Sequence, residues 1–149
     1  MEAPAAERFL ARTVRWAQNR EDVLGILLVG SWARGTPRAD SDLDLMVVVD
    51  DPQEFRQTPR WMNEVDLGLE VSGWRDEDYG AAWSRHVYLE DSSKLEFGFS
   101  TREWASINPL DAGTKRVVSE GCRVLYDPQG VLERLLDYVR SNANNSLST

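Results

Sequence analysis

Two short apolar runs near the start of the chain, residues 23–29 (VLGILLV) and 43–49 (LDLMVVV), are rich in β-branched and aliphatic side chains and bounded by turn formers. That pattern predicts strands. Only ten residues lie between Ser31 and Asp42, fewer than a parallel crossover within one sheet requires, so the two strands are expected to be antiparallel neighbours joined by a helical turn or loop. The second run continues apolar through Met46 to Val49 on both faces, which predicts a strand central to its sheet.

The rest of the pattern alternates between the two periodicities. Phe9, Leu10, Thr13, Val14 and Ala17 fall at helical spacing, predicting an amphipathic helix over residues 4–19 with Pro4 in its first turn and Trp16 packed on the sheet. Residues 53–60 are polar and read as a loop or short helix. Residues 64–72 alternate, with Val65, Leu67, Leu69 and Val71 on one face, as in a strand with one wet side. Residues 74–82 read as a short helix opened by Asp76, Glu77 and Asp78. Residues 83–89 and 94–100 predict a hairpin over the polar turn 90–93. A helical turn is expected near residues 102–105 and a loop over 108–114, while 114–120 fits either helix or strand. Residues 123–126 read as a strand, and Asp127-Pro128 as the start of a last helix whose apolar face is Leu132, Leu135, Leu136 and Val139 and which ends near Arg140. The fold class is therefore α/β (α+β), with one domain over residues 1–140 and a polar, frayed tail over 141–149. No internal repeat is present.

Length and charge narrow the functions. The chain of 149 residues is one domain's worth, and its 17 basic and 25 acidic residues give a net charge of −8. Polynucleotide affinity comes mostly from lysine and arginine neutralising phosphates, so nucleic acid is not expected as a partner. A small molecule or a protein side chain is, and a cationic one suits the field. Cys122 is the sole cysteine, which excludes an intrachain disulfide and a cysteine zinc site. No leader and no run of 18 or more apolar residues is seen, so a soluble cytoplasmic protein is the expectation. Six tryptophans in so short a chain leave several to be exposed, as a homodimer interface would need.

The candidate chemistry gathers where the first two strands meet. Asp42 and Asp44, two apart on a strand, project together, and paired carboxylates at a buried strand mouth call for a hard cation with oxygen ligands. Gly30 allows close backbone approach, and Ser31 offers a hydroxyl and an amide where phosphate oxygens could be received. Arg34 and Arg38, in the loop that follows, are candidates to offset phosphate charge, whereas Asp40 and Ser41 are expected to shape the turn. Three further acids could join that pair, Asp66, Glu70 and Glu96. Glu96 is preferred because it lies between Leu95 and Phe97, with Gly98 leaving space two residues on. His86, the one histidine, is expected to be a structural or rim residue, since no second histidine exists to build a transition-metal site.

The string GSWARGTPRADSDLDL, preceded by an apolar strand, resembles the signature of the DNA polymerase β-like nucleotidyltransferase superfamily, and within it the small bacterial aminoglycoside-nucleotidyltransferase and minimal-nucleotidyltransferase types. Lys94-Leu95-Glu96-Phe97-Gly98 is similar to the strand that supplies the third carboxylate in that superfamily. The resemblance implies a mixed central sheet flanked by helices. It also implies transfer of a nucleoside monophosphate from an NTP, with ATP first in order, to a hydroxyl of a small-molecule, antibiotic-like acceptor. Two Mg²⁺ ions would be held by Asp42, Asp44 and Glu96, and the phosphates by Gly30, Ser31 and Arg34. Two alternatives accompany it: a minimal nucleotidyltransferase antitoxin modifying a tyrosine of a partner protein, and a catalytically silent nucleotide-binding module.

Overall fold

The computed structural model describes residues 1–147 apart from Ala39 and Ala81, with the side chains of 143–147 left out. In chain order the elements are α1 (Ala3–Gln18), β1 (Val23–Val29), α2 (Gly30–Arg34), β2 (Leu43–Val49), α3 (Pro52–Gln57), α4 (Trp61–Val65), β3 (Val71–Tyr79), β4 (Ala82–Leu89) and β5 (Lys94–Ser100). A 3₁₀ turn (Arg102–Ala105), α5 (Ala112–Glu120), β6 (Arg123–Tyr126) and α6 (Val131–Leu147) complete them. The six strands form one sheet in the order β3-β4-β5-β2-β1-β6. β2 and β5 run parallel and every other pairing is antiparallel, so the sheet is mixed and β2 is central, as the apolar pattern predicts.

Alternation along β2 and β5 divides the fold into two layers. Leu43, Leu45, Val47, Leu95, Phe97 and Phe99 face α1, α3 and α4, where they meet Phe9, Trp16, Phe55 and Trp61 in the larger core. The aromatic rings interlock: Trp61 sets its edge on Phe97 and Phe99, and Phe99 stacks on both Phe55 and Trp83. Their polar handles are satisfied on the backbone, Trp61 Nε1 donating to the Phe55 carbonyl at 2.9 Å and Trp83 Nε1 to that of Pro52 at 2.7 Å. Arg85 on this face is fully buried, with two hydrogen bonds to Asp76 at 2.7 and 3.0 Å and its guanidinium 3.8 Å from the Trp74 ring centre.

The other face is covered by α5, α6 and the 3₁₀ turn, which pack on Leu27 and Val48 through Val118, Leu132, Leu135 and Ala105. A Cβ on Gly25 would stand 2.9 Å from Leu132, so glycine there is what lets α6 lie close on β1. These helices sit over β1 and β2. The polar residues of the same face on β2 to β5, Asp44, Glu96, His86 and Glu77, stay part-exposed beyond them.

Several expectations are corrected. Residues 64–72 are not a strand: α4 ends at Val65, and Asp66 (φ 53°) and Gly68 (φ 84°) take left-handed conformations that break any extended run, although Val65 and Leu67 are still buried. Residues 74–82 are not a helix. Residues through Tyr79 form β3, held along its length by β4. α5 resolves the undecided stretch as helix. α6 begins at Val131, with the Asp127 carboxylate accepting from the amides of Leu132 and Glu133 at 3.1 and 2.9 Å. It therefore starts three residues beyond Pro128, and it runs past Arg140 to Leu147. Of the tryptophans, Trp16, Trp61 and Trp83 are buried, Trp32 and Trp104 are half-buried and Trp74 is 45% exposed, so one tryptophan rather than several is exposed. Among the described residues no helix is long and apolar enough to cross a membrane.

Candidate active site

Strand register builds the site. β1 and β2 meet with Val29 opposite Asp44, so the chain leaving β1 turns directly over the Asp44 side chain. Gly30 makes this turn at φ 76°, and a Cβ there would lie 2.3 Å from Asp44 Oδ2. Only glycine fits both the backbone angle and the space. α2 then closes with Gly35 (φ 75°) at its C-terminus. Parallel pairing sets Glu96 opposite Asp44, and antiparallel pairing of β4 with β5 sets His86 opposite Glu96.

Asp44 and Glu96 are thus paired across neighbouring strands and the charge of Asp42 reaches Asp44, but among the described residues the three carboxylates are not a set whose ligand atoms all lie within 4.8 Å of one another. Asp44 carries the clearest electrostatic signature: burial first, then the charge of Glu96, a hydrogen bond with it and the charge of Asp42, push its carboxyl up from the ordinary 3.8 to about 7, against the opposing pull of Arg34. Its Oδ1 is buried with no hydrogen-bond partner. Glu96 Oε1 accepts from Ser84 Oγ at 3.0 Å and lies 3.3 Å from His86 Nε2. His86 Nδ1 is 4.0 Å from Asp42 Oδ2, and Nε2 is 3.5 Å from Glu77 Oε2. Tyr79 in turn donates its hydroxyl to Glu77.

Convergent carboxylates that repel one another, one of them with an orphaned buried oxygen, are a donor set suited to a hard divalent cation. Among the described residues, the group whose ligand atoms all lie within 4.8 Å of one another is Glu77, His86 and Glu96. It shares Glu96 with the expected trio and adds two residues from β3 and β4.

Of the other candidates, Ser31 is half-buried in the first turn of α2, and Arg34 is exposed on α2, its stem against Gly121 and its charge acting on Asp44. Arg38 is exposed, and Ser41 closes a reciprocal turn with it, its hydroxyl accepting from Arg38 N at 2.7 Å and its amide donating to Arg38 O at 3.0 Å. Asp66 pairs with Arg12 of α1 at 3.5 Å on the opposite layer, which takes it out of the site. Glu70 precedes β3, where its carbonyl accepts from Glu90 N. The sequence alone sets His86 down as a structural or rim residue and places Glu77 in a helix start. The hairpin held the missing signal, because pairing Tyr88 with Lys94 carries His86 opposite Glu96. A cavity of about 710 Å³, lined by Asp50, Arg102, Ser106 and Arg134 among others, lies at the far end of β2 and contains none of these carboxylates.

The model of the nucleotidyltransferase domain family matches residues 10–111. No curated protein matches the chain. Among solved structures, the chain is similar to an aminoglycoside 6-adenyltransferase from Bacillus subtilis, with a TM-score of 0.50 at 14% identity over 70% of this chain. This chain spans 37% of that protein's length. A toxin–antitoxin structure with AMP-PNP gives a TM-score of 0.49 at 13% identity, covering 93% of this chain and 90% of that one. A cytoplasmic RNA terminal U-transferase gives 0.46 at 17% identity, over 78% and 31%. At such identities the likeness is one of fold, and it is the family match over residues 10–111 that decides: the chain belongs to the nucleotidyltransferase domain family.

Proposed function

We propose that this chain transfers a nucleoside monophosphate from an NTP, with ATP the first to test, to a hydroxyl of a small cationic acceptor of antibiotic-like size. The observation that carries the reading is the fit of Gly30 against Asp44, with Glu96 in register beside it. That fit joins a phosphate-receiving turn to a carboxylate pair. Asp42 and Asp44 are the residues that would hold a Mg²⁺ with the triphosphate, and together with Glu96 a second. Bound there, the ions neutralise phosphate charge and lower the pKa of an acceptor hydroxyl.

The chain's own residues do the rest. The Gly30 and Ser31 backbone and the Ser31 hydroxyl seat the β- and γ-phosphates. Arg34 offsets charge on the departing pyrophosphate. Glu96, held by Ser84 Oγ at 3.0 Å, accepts the proton of the attacking hydroxyl. Attack is in line on the α-phosphate, promoted by placement and charge neutralisation. The acceptor side is walled by Glu77, Glu96 and Asp42 around His86, which favours a positively charged acceptor.

The test is to incubate the protein with each of the common NTPs, Mg²⁺ and a panel of amine-bearing alcohols, aminoglycosides and neutral sugars. Products are then sought that have gained one nucleoside monophosphate. Transfer confined to neutral acceptors would refute the cationic assignment. Arg34→Ala should raise KM for the NTP about tenfold, the loss of one charge-assisted phosphate contact, with circular dichroism unchanged. An unaltered KM would remove Arg34 from the phosphate site.

A further inference from the structure

Tyr79 is the last residue of β3, and alternation sets it on the same face as Glu77. Its hydroxyl donates to the Glu77 carboxylate, and both the Ser84 hydroxyl and the Glu96 charge act on the same phenol. Glu77 Oε2 is 3.5 Å from His86 Nε2, which is 3.3 Å from Glu96 Oε1. A hydroxyl therefore already stands among the groups that the reaction needs around its acceptor. The side chain is 55% exposed at the end of a hairpin, so its ring is free to adjust as a nucleotide arrives. The other three tyrosines differ: Tyr88 is engaged by Arg75, Tyr126 ends β6 opposite Ile26 and packs on the larger core, and Tyr138 lies on α6, which packs over β1.

We infer that Tyr79 is an internal acceptor, so that the protein nucleotidylylates its own Tyr79 hydroxyl. This rests on the reading of the site given above. In the step, a bond forms between Tyr79 Oη and the α-phosphorus. The bond from that phosphorus to the bridging oxygen of the β-phosphate breaks, pyrophosphate leaves, and the phenolic proton passes to Glu77, which already holds it. Glu77 accepts the phenolic hydrogen bond, so an acceptor for the proton is in place as attack proceeds. The product carries a phosphodiester anion beside Glu77. Repulsion keeps it out of the acidic wall, while its bulk covers the approach to Glu96, so a marked chain is slowed toward other acceptors.

The experiment uses the whole chain with Mg²⁺ and ATP, then each other NTP, without added acceptor. Intact mass and peptide mapping report the product, and calorimetry in parallel reports Mg²⁺-dependent nucleotide binding. One nucleoside monophosphate per chain is expected on Tyr79, at a first-order rate independent of protein concentration. Tyr79→Phe should lose the mark while binding nucleotide within about twofold of wild type, and Tyr138→Phe should keep it. An unmarked chain that binds the nucleotide with Mg²⁺ overturns the inference and leaves the site reading intact, as does a mark that survives Tyr79→Phe. A chain that neither binds the nucleotide with Mg²⁺ nor becomes marked overturns both.

Discussion

Asp44→Asn should lower nucleotidyl transfer about 10³-fold, roughly 4 kcal/mol of transition-state stabilisation, while leaving the fold in place. The substitution keeps size and shape but removes the charge at the carboxylate that lies under Gly30, pairs with Glu96 and feels the charge of Asp42. The same change should stabilise the metal-free protein at neutral and alkaline pH. The Asp44 carboxyl is pushed from 3.8 to about 7 in the fold, so between those values the folded state holds a proton that the unfolded chain releases, and stability falls as pH rises. Above pH 7 the full penalty of the buried charge is present. A shift of this size is at most about 4 kcal/mol, and screening at a part-exposed site reduces it to about 1–3 kcal/mol. Asparagine carries none of it. Thermal melts without metal should therefore place the variant about 3–10 °C above wild type at pH 8, converging toward pH 4. Saturating Mg²⁺ should raise the wild type and not the variant. Equal melting temperatures at pH 8 would show that Asp44 pays no electrostatic penalty.

Gly30→Ala should cost about 10²-fold in turnover, the penalty of shifting a reacting group by about 1 Å. The new Cβ would be driven to 2.3 Å from Asp44 Oδ2 in a backbone held at φ 76°, so the turn or the carboxylate must move. Left-handed strain alone amounts to about 1–2 kcal/mol, and Gly35→Ala isolates it. Gly35 has φ 75° with nothing within 4 Å of the added carbon, so that variant should lose comparable stability and retain transfer. Steady-state rates and melting temperatures for the pair separate strain from displacement of the carboxylate. Matching activity in the two variants would mean that the Gly30–Asp44 contact has no part in the chemistry.

How far the sequence carries depends on whether local pattern and tertiary pairing agree. For β1, β2, β5 and α1 they agree, since apolar alternation or helical spacing coincides with what the core buries. Asp42, Asp44 and Gly30 are legible for the same reason, being fixed by one short turn. Glu96 is legible through its apolar neighbours Leu95 and Phe97.

β3 is not legible locally. Ser72 to Tyr79 offers charges on both faces because each face has a charged partner elsewhere: Asp76 binds buried Arg85 and Asp78 binds Arg56, while Glu77 faces His86. Pairing with β4 overrides the acidic run that suggests a helix start. Residues 64–72 fail in the opposite way. Their alternation is real and buries Val65 and Leu67, but left-handed Asp66 and Gly68 deliver those side chains from a helix end and a loop. His86 and Glu77 enter the site through strand register, which no single stretch of sequence encodes.

In the proposed function, Asp42, Asp44 and Glu96 jointly hold a divalent cation against a nucleotide seated on the Gly30–Ser31 turn. Calorimetric titration of a non-transferable ATP analogue into the protein tests this most directly, with and without Mg²⁺, in wild type and in Asp42→Asn, Asp44→Asn and Glu96→Gln. Binding that requires Mg²⁺ and weakens at least about tenfold, or 1.4 kcal/mol, in each variant is the predicted result. Affinity that is the same without Mg²⁺, or undiminished when the carboxylates are replaced, would contradict it.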